Sequence, residues 1–138
     1  MKIAMYLTVI LCIIVIGVLA FVRLSPTDAA QWHVPVAQTD SQDMASGAIR
    51  VMEADPDALA RVDAAARDLP RTRVVAGSVE DGRITYETRS KWIGFPDYTT
   101  VEYADGLLKM HARLRFGQSD LGVNRERLER LLVAAQEG

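Results

Sequence analysis

Cysteine is all but missing: Cys12 is the only one, so no intramolecular disulfide can staple this chain. Histidine is nearly as scarce, with His33 and His111 alone. Neither they nor the cysteine stand at the spacing that gathers a metal ion, so no metal site and no cofactor are expected. The formal net charge is only −2, too small for a strong global field, and this removes the main ground for nucleic-acid binding. No Gly-x-Ser-x-Gly elbow and no phosphate-binding P-loop occur. Internal repeats and low-complexity tracts are absent too. These gaps leave little for an enzymatic reading, and a non-catalytic protein is expected.

Charge is also absent from one long stretch. Between Lys2 and Arg23 the run Ile3–Val22 is uncharged and largely apolar, interrupted only by Tyr6, Thr8 and Cys12. About 20 such residues at about 1.5 Å each span a hydrocarbon core of about 30 Å. Two readings stay open. A retained single-pass signal-anchor over residues 1–23 is favoured by the length of the run. A cleavable signal would use Val18-Leu19-Ala20 as its small-residue site. Cys12 follows Val9-Ile10-Leu11, whose bulky leucine spoils a lipoprotein box, so it reads as apolar filler of the helix. The short N-terminal tail points to an N-in, C-out anchor, although the charge bias between Lys2 and Arg23 is slight. The rest of the chain is therefore expected outside the cytoplasm.

Residues 24–47 carry Pro26, Pro35 and a Gln/Thr/Asp/Ser run without periodicity, and read as a stalk or linker. Trp32 within it suits either the headgroup level of a membrane or a cap on the domain core. Residues 48–138 read as one domain. Asp55 as N-cap, Pro56 at N1 and Pro70 as a stop bracket a helix whose stripe is Leu59, Val62, Ala66 and Leu69. Four strands are expected over Thr72–Val79, Arg83–Lys91, Tyr98–Ala104 and Leu107–Phe116, with Glu80-Asp81-Gly82 and Asp105-Gly106 as turns. A last helix over Val123–Ala135 shows Leu128, Leu131, Leu132 and Ala135 on one face, with Asp120 or Asn124 to cap it. The expected fold is α+β: a transmembrane helix, then a two-layer domain of a four-stranded antiparallel meander flanked by two helices.

The last strand carries the strongest local signal. Leu108, Met110, Ala112, Leu114 and Phe116 point one way, and Lys109, His111, Arg113 and Arg115 the other, about 7 Å apart. Arg83 and Arg89 extend the basic field from the second strand, against Glu87 there and Glu102 in the third. A solvated sheet face with cross-strand ion pairs accounts for this row; so does a docking face for an anionic partner, which would balance its self-repulsion. A second feature is the loop from Gly117 to Arg127. Its Ser119 and Asp120 form a turn and cap, and its helix start, with Asn124, Arg125 and Arg127, is able to hold an anion.

The strings Arg89-Ser90, Gly94-Phe95 with Asp97, Arg113, Arg115-Phe116-Gly117 and Ser119-Asp120-Leu121-Gly122-Val123-Asn124-Arg125 with Arg127 resemble the domain-of-unknown-function 1499 family over roughly Asp55–Leu132. Ser-Asp-Leu-Gly-Val-Asn-Arg is the most specific part. Family members more often place serines between the arginines before the glycine, where Ala112 and Leu114 stand here. The resemblance implies a small bacterial membrane- or envelope-associated protein; with the N-in, C-out anchor, the chain is expected at the inner membrane with its domain on the periplasmic side. It implies shared architecture and no activity. The expected function is a membrane-anchored accessory domain that binds an anionic protein, lipid headgroup or glycan through Lys109, His111, Arg113, Arg115, Arg89 and the loop residues Ser119, Asp120, Asn124, Arg125 and Arg127. The alternative is a structural subunit or assembly factor of a membrane complex, with Gly17 and Ala20 permitting close helix approach. An enzyme would need His111 and Asp120 in one pocket.

Overall fold

The computed structural model describes residues 1–137; Gly138, the last residue of the expected domain, lies outside them. The apolar run forms a single helix, α1 (Lys2–Leu24). It is the one described helix long and apolar enough to cross a membrane, and of its residues only Val22 is buried. A short helix, α2 (Ala29–Trp32), follows, its Asp28 side chain accepting from the Ala30 N–H at 3.0 Å. Then come β1 (Gln42–Met44), β2 (Gly47–Glu53), α3 (Ala58–Asp68), β3 (Thr72–Ser78), β4 (Arg83–Arg89), β5 (Pro96–Ala104), β6 (Leu107–Leu114) and α4 (Val123–Gln136).

The expected α+β class and the meander are present, but the sheet has six strands, not four. Its order is β1-β2-β6-β5-β4-β3, antiparallel throughout. The two extra strands are a hairpin added to the free edge of β6, with Ala48 opposite Ala112 and Ile49 opposite His111. Sequence periodicity missed them for a physical reason. β1 is three exposed residues, and β2 does not alternate: Ala48 and Ile49 are buried on opposite faces, while Arg50 pairs with Asp43 and Glu129. Gly47 is where that hairpin approaches β6 most closely: a Cβ there would collide with the Ala112 carbonyl oxygen.

The helix-facing side of the sheet holds the main core. Ala48, Ile84, Tyr86, Val101, Leu108, Met110 and Ala112 meet Leu59, Val62 and Ala66 of α3 and Leu128, Leu131 and Ala135 of α4. Each large aliphatic side chain buried there contributes about 1.5–3 kcal/mol. The predicted stripes on both helices are the ones in use. The helical turns of α3 begin at Ala58, preceded by a turn in which the Asp55 carboxylate accepts from the Asp57 N–H at 2.9 Å. The Asp105-Gly106 turn takes positive φ at both residues (51° and 77°), the backbone of a two-residue hairpin loop.

The opposite side of the sheet is not bare. The end of α1 from Val22 and the first part of the expected stalk, to Val36, lie across it. Trp32 stacks on Tyr98 at 4.1 Å between ring centroids. Thr27 Oγ1 donates to Glu87 at 2.5 Å, and His33 Nδ1 bonds Thr85 Oγ1 at 2.9 Å. Val22 and Val36, at either end of this lead-in, are buried, as are Ile49, Thr85, Glu87, Tyr98 and Thr100 beneath it. Trp32 thus caps a second, smaller core. The stalk reading of 24–47 is corrected accordingly: this segment supplies α2, β1, the first residue of β2 and the cover of one sheet face.

Candidate functional site

The basic row was expected to stand open to a partner, and the structure closes most of it. Arg113 donates through Nη2 to the Trp32 carbonyl at 2.6 Å and through Nη1 to the His111 carbonyl and Thr100 Oγ1, each at 3.0 Å. Its guanidinium also lies 5.4 Å from the centre of the Trp32 ring. Burial lowers its pKa to about 10. Arg115 donates to the Pro26 carbonyl at 3.1 Å and to Tyr98 Oη at 3.3 Å. Burial, with the Arg113 charge beside it, pushes His111 down to about 4, so the imidazole is neutral near pH 7. Lys109 faces Val51 and Glu102 in mid-sheet. Arg113 and Arg115 hold the lead-in down, and their charges are met by backbone carbonyls rather than by an external anion.

The other sequence candidates meet elsewhere. In an antiparallel meander the end of β4, the start of β5 and the end of β6 come together: Arg89 is opposite Pro96, and Asp97 opposite Leu114. The start of β3 joins them, with Thr72 opposite Thr88. The loop after Gly117 and the first turn of α4 close the remaining side. Between these ends lies a cleft of about 540 Å³. Arg71, Arg89, Lys91 and Arg127 line it, with the hydroxyls of Ser90 and Ser119 and the rings of Phe95 and Phe116.

Its floor is an ion pair in a low-dielectric setting. Arg127 Nη1 stands 3.5 Å from Asp97 Oδ2, and Asn124, fully buried, donates to that oxygen at 3.3 Å while its own carbonyl accepts from Arg127. Burial raises the Asp97 carboxyl above its ordinary range, against the pull of Arg127, and it lowers the Arg127 guanidinium, against the pull of Asp97. Both shifts disfavour charge, the mark of an ion pair held away from water. Asp120 accepts from the N–H groups of Gly122 at 2.9 Å and Asn124 at 3.1 Å, so it satisfies donors at the start of α4 while Gly122 occupies the N-cap position. Arg125 turns away, 3.9 Å from Asp43.

Arg89 is the hinge of the site. Its Nε donates to Glu87 at 2.6 Å, and its Nη1 to the Gly94 carbonyl at 3.0 Å and to the Val22 and Arg23 carbonyls, both at 3.4 Å. It thus ties the cleft to the C-terminal end of α1. A second hollow of about 420 Å³ shares Arg71, Arg89, Ser90 and Lys91 and is bounded by Arg23. Ser90 Oγ accepts from the N–H groups of Gly94 and Phe95, at 3.0 and 2.9 Å, which fixes the connection between β4 and β5.

Of the sequence-predicted residues, Arg89, Ser119, Asp120 and Arg127 line the cleft, Asn124 supports it from behind, and Lys109, His111, Arg113, Arg115 and Arg125 lie outside. His111 and Asp120 are not brought together, the one facing the lead-in and the other meeting N–H groups at the start of α4. Arg71 and Lys91 were missed as cleft residues, because only the folded sheet brings the start of β3 beside the end of β4. Asp97 and Phe95 appeared only as family motif positions.

Asp97 and Phe95 join Arg89, Ser90, Ser119, Asp120 and Arg127 in the lining of one cleft, and a family model spans it over residues 23–134. The chain belongs to the family described as Protein of unknown function (DUF1499). Searching the curated proteins yields no match. The DUF1499 match begins at Arg23, well before the Asp55 at which the motif resemblance starts, so it takes in the lead-in and the β1–β2 hairpin. It leaves out all but the last two residues of α1.

Proposed function

We propose that this DUF1499 protein is a non-catalytic binding domain, held at the bacterial inner membrane by α1 with its domain on the periplasmic side, and that its sheet-end cleft takes the anionic headgroup of a lipid. One observation carries the reading: Arg71, Arg89, Lys91 and Arg127 converge on one cleft whose acidic lining is Asp97 and Asp120; Asp120 is already engaged by two backbone N–H groups, and Glu87, which pairs with Arg89, lies outside that lining. Cations set beside the Phe95 and Phe116 rings suit a ligand with a charged head and an apolar body. The tie from Arg89 to the end of α1 favours a lipid over a soluble glycan. The anion site thus moves from the sheet row to the sheet end.

The test is titration of the full chain in detergent with dihexanoyl-phosphatidylglycerol, which stays monomeric at low concentration. Saturable binding is expected, weakened tenfold or more by Arg71→Glu combined with Lys91→Glu and little changed by Lys109→Glu. It should also weaken with salt, since the screening length shrinks from about 10 Å at 0.1 M to about 3 Å at 1 M. Binding lost with Lys109→Glu but kept in the cleft variants would return the site to the sheet face, and absence of saturable binding would remove the proposal.

A further inference from the structure

The connection between β4 and β5 turns apolar side chains outward, Trp92 most of all. Trp92 is 79% exposed, and Ile93 and Phe95 are each 38% exposed. Isolated apolar residues on a surface need no explanation, but a tryptophan this bare beside an isoleucine does. The backbone there is the opposite of loose. Arg23 donates through Nη2 to the Trp92 carbonyl at 2.8 Å and through Nε to the Ile93 carbonyl at 3.1 Å. Arg89 holds the next carbonyl, that of Gly94. The protein therefore fixes the loop firmly while leaving its side chains outward.

The place where it is fixed is informative. Arg23 is the first charged residue after the apolar run of α1, so its guanidinium marks where the helix leaves hydrocarbon. The Trp92 and Ile93 carbonyls are at that same level, within hydrogen-bond distance. Lys91 Nζ sits 4.8 Å from the centre of the Trp92 ring, an amphipathic pair with one apolar body and one cation. The rings of Phe21 on α1 and Phe116 on the domain meet at 6.1 Å, and Phe116 meets Phe95 at 6.5 Å. The apolar surface of α1 thus passes without a break onto the domain.

We propose that the Lys91–Ile93 tip is a second membrane contact: Trp92 and Ile93 seat in the headgroup layer beside the exit of α1, with Lys91 among the lipid phosphates. This rests on the reading of α1 as a spanning helix. Two contacts with one bilayer, bolted together by Arg23 and Arg89, fix the tilt of the domain. They turn the Lys91 edge of the cleft toward the surface from which its ligand would come. A lone flexible tether would leave that orientation random.

The full chain is reconstituted in vesicles of phosphatidylcholine and phosphatidylglycerol, with Trp32→Phe leaving Trp92 as the one tryptophan and bimane on Cys12 reporting the middle of α1. Trp92 emission is expected to be quenched more by lipids brominated near the headgroup end of the acyl chain than by deeply brominated ones. It should also be several-fold less open to aqueous acrylamide than free tryptophan. Acrylamide access equal to that of free tryptophan, together with deep quenching at Cys12, overturns the loop contact while the spanning helix stands; a loop reserved for a protein partner would give this result. Absence of lipid quenching at Cys12 overturns both. Should Trp32→Phe loosen the lead-in, a spin label on Trp92→Cys in a Cys12→Ser chain answers the same question. Collision with dissolved oxygen should then exceed collision with an aqueous nickel chelate, and the reverse order overturns the proposal.

Discussion

The two faces of the sheet are both buried, but by different means. On one, α3 and α4 lay aliphatic stripes against alternating aliphatic residues of β2, β4, β5 and β6. On the other, a segment with one four-residue helix covers Thr85, Glu87, Tyr98 and Thr100 and satisfies them one hydrogen bond at a time. Apolar burial is additive and forgiving, since it scales with area. Polar burial is conditional, because each donor or acceptor withdrawn leaves an orphan whose desolvation is uncompensated. The helix face therefore stabilises the fold, and the lead-in face specifies how the segment that follows α1 is attached to it.

The largest effect should come from the helix face. Leu131, 1% exposed, packs in the main core, and Leu131→Ala should cost about 2–5 kcal/mol. Denaturant unfolding of the full chain in detergent would read it as one cooperative transition, with the lead-in lost along with the rest. Glu87→Gln should cost less, about 1–3 kcal/mol, but change more locally. The Glu87 carboxylate, 1% exposed, accepts from Thr27, from Arg73 at 2.8 Å and from Arg89 at 2.6 Å. An amide there turns an N–H group toward one of these donors. The expected signature is faster protease cleavage within residues 25–36 while the rest of the domain stays resistant. Equal protection of both regions would mean that the two faces are not separable.

The same contrast explains what could be read without coordinates. Both core helices, the four meander strands and the Asp105-Gly106 turn announce themselves by period and punctuation, because each residue there does one local job. The alternation in Leu107–Phe116 correctly sorted Met110 from His111. Its polar side was read as a surface because hydrogen-bonding residues look alike whether they meet water or another segment. Pro26, Thr27, Trp32 and His33 have no period that betrays a destination, since an irregular cover recognises its sheet through single contacts. The cleft suffers from a related blindness: Arg71 and Arg127 are 56 residues apart, and only strand register places them across one space.

The smallest effect separates the faces by pH rather than by size. His111 is lowered to about 4 by burial and by Arg113, whereas in the unfolded chain it titrates near 6.5. A folded-state pKa depressed in this way means that the unfolded chain binds the proton more readily. Its contribution is complete above about pH 6.5 and is lost as pH falls toward 4, with a slope of at most about 1.4 kcal/mol per pH unit. Glu87 adds to acid sensitivity from the ordinary carboxylate range downward, because although burial opposes it, bonds from Thr27, Arg73 and Arg89 lower its pKa below that of the unfolded chain. The two windows therefore do not coincide. Between pH 6.5 and 4.5, His111→Gln should flatten the stability profile of the full chain, while Leu131→Ala should shift that profile downward without changing its slope. A wild-type profile already flat in this window would mean that His111 is solvated, and that the lead-in does not close this side of the sheet.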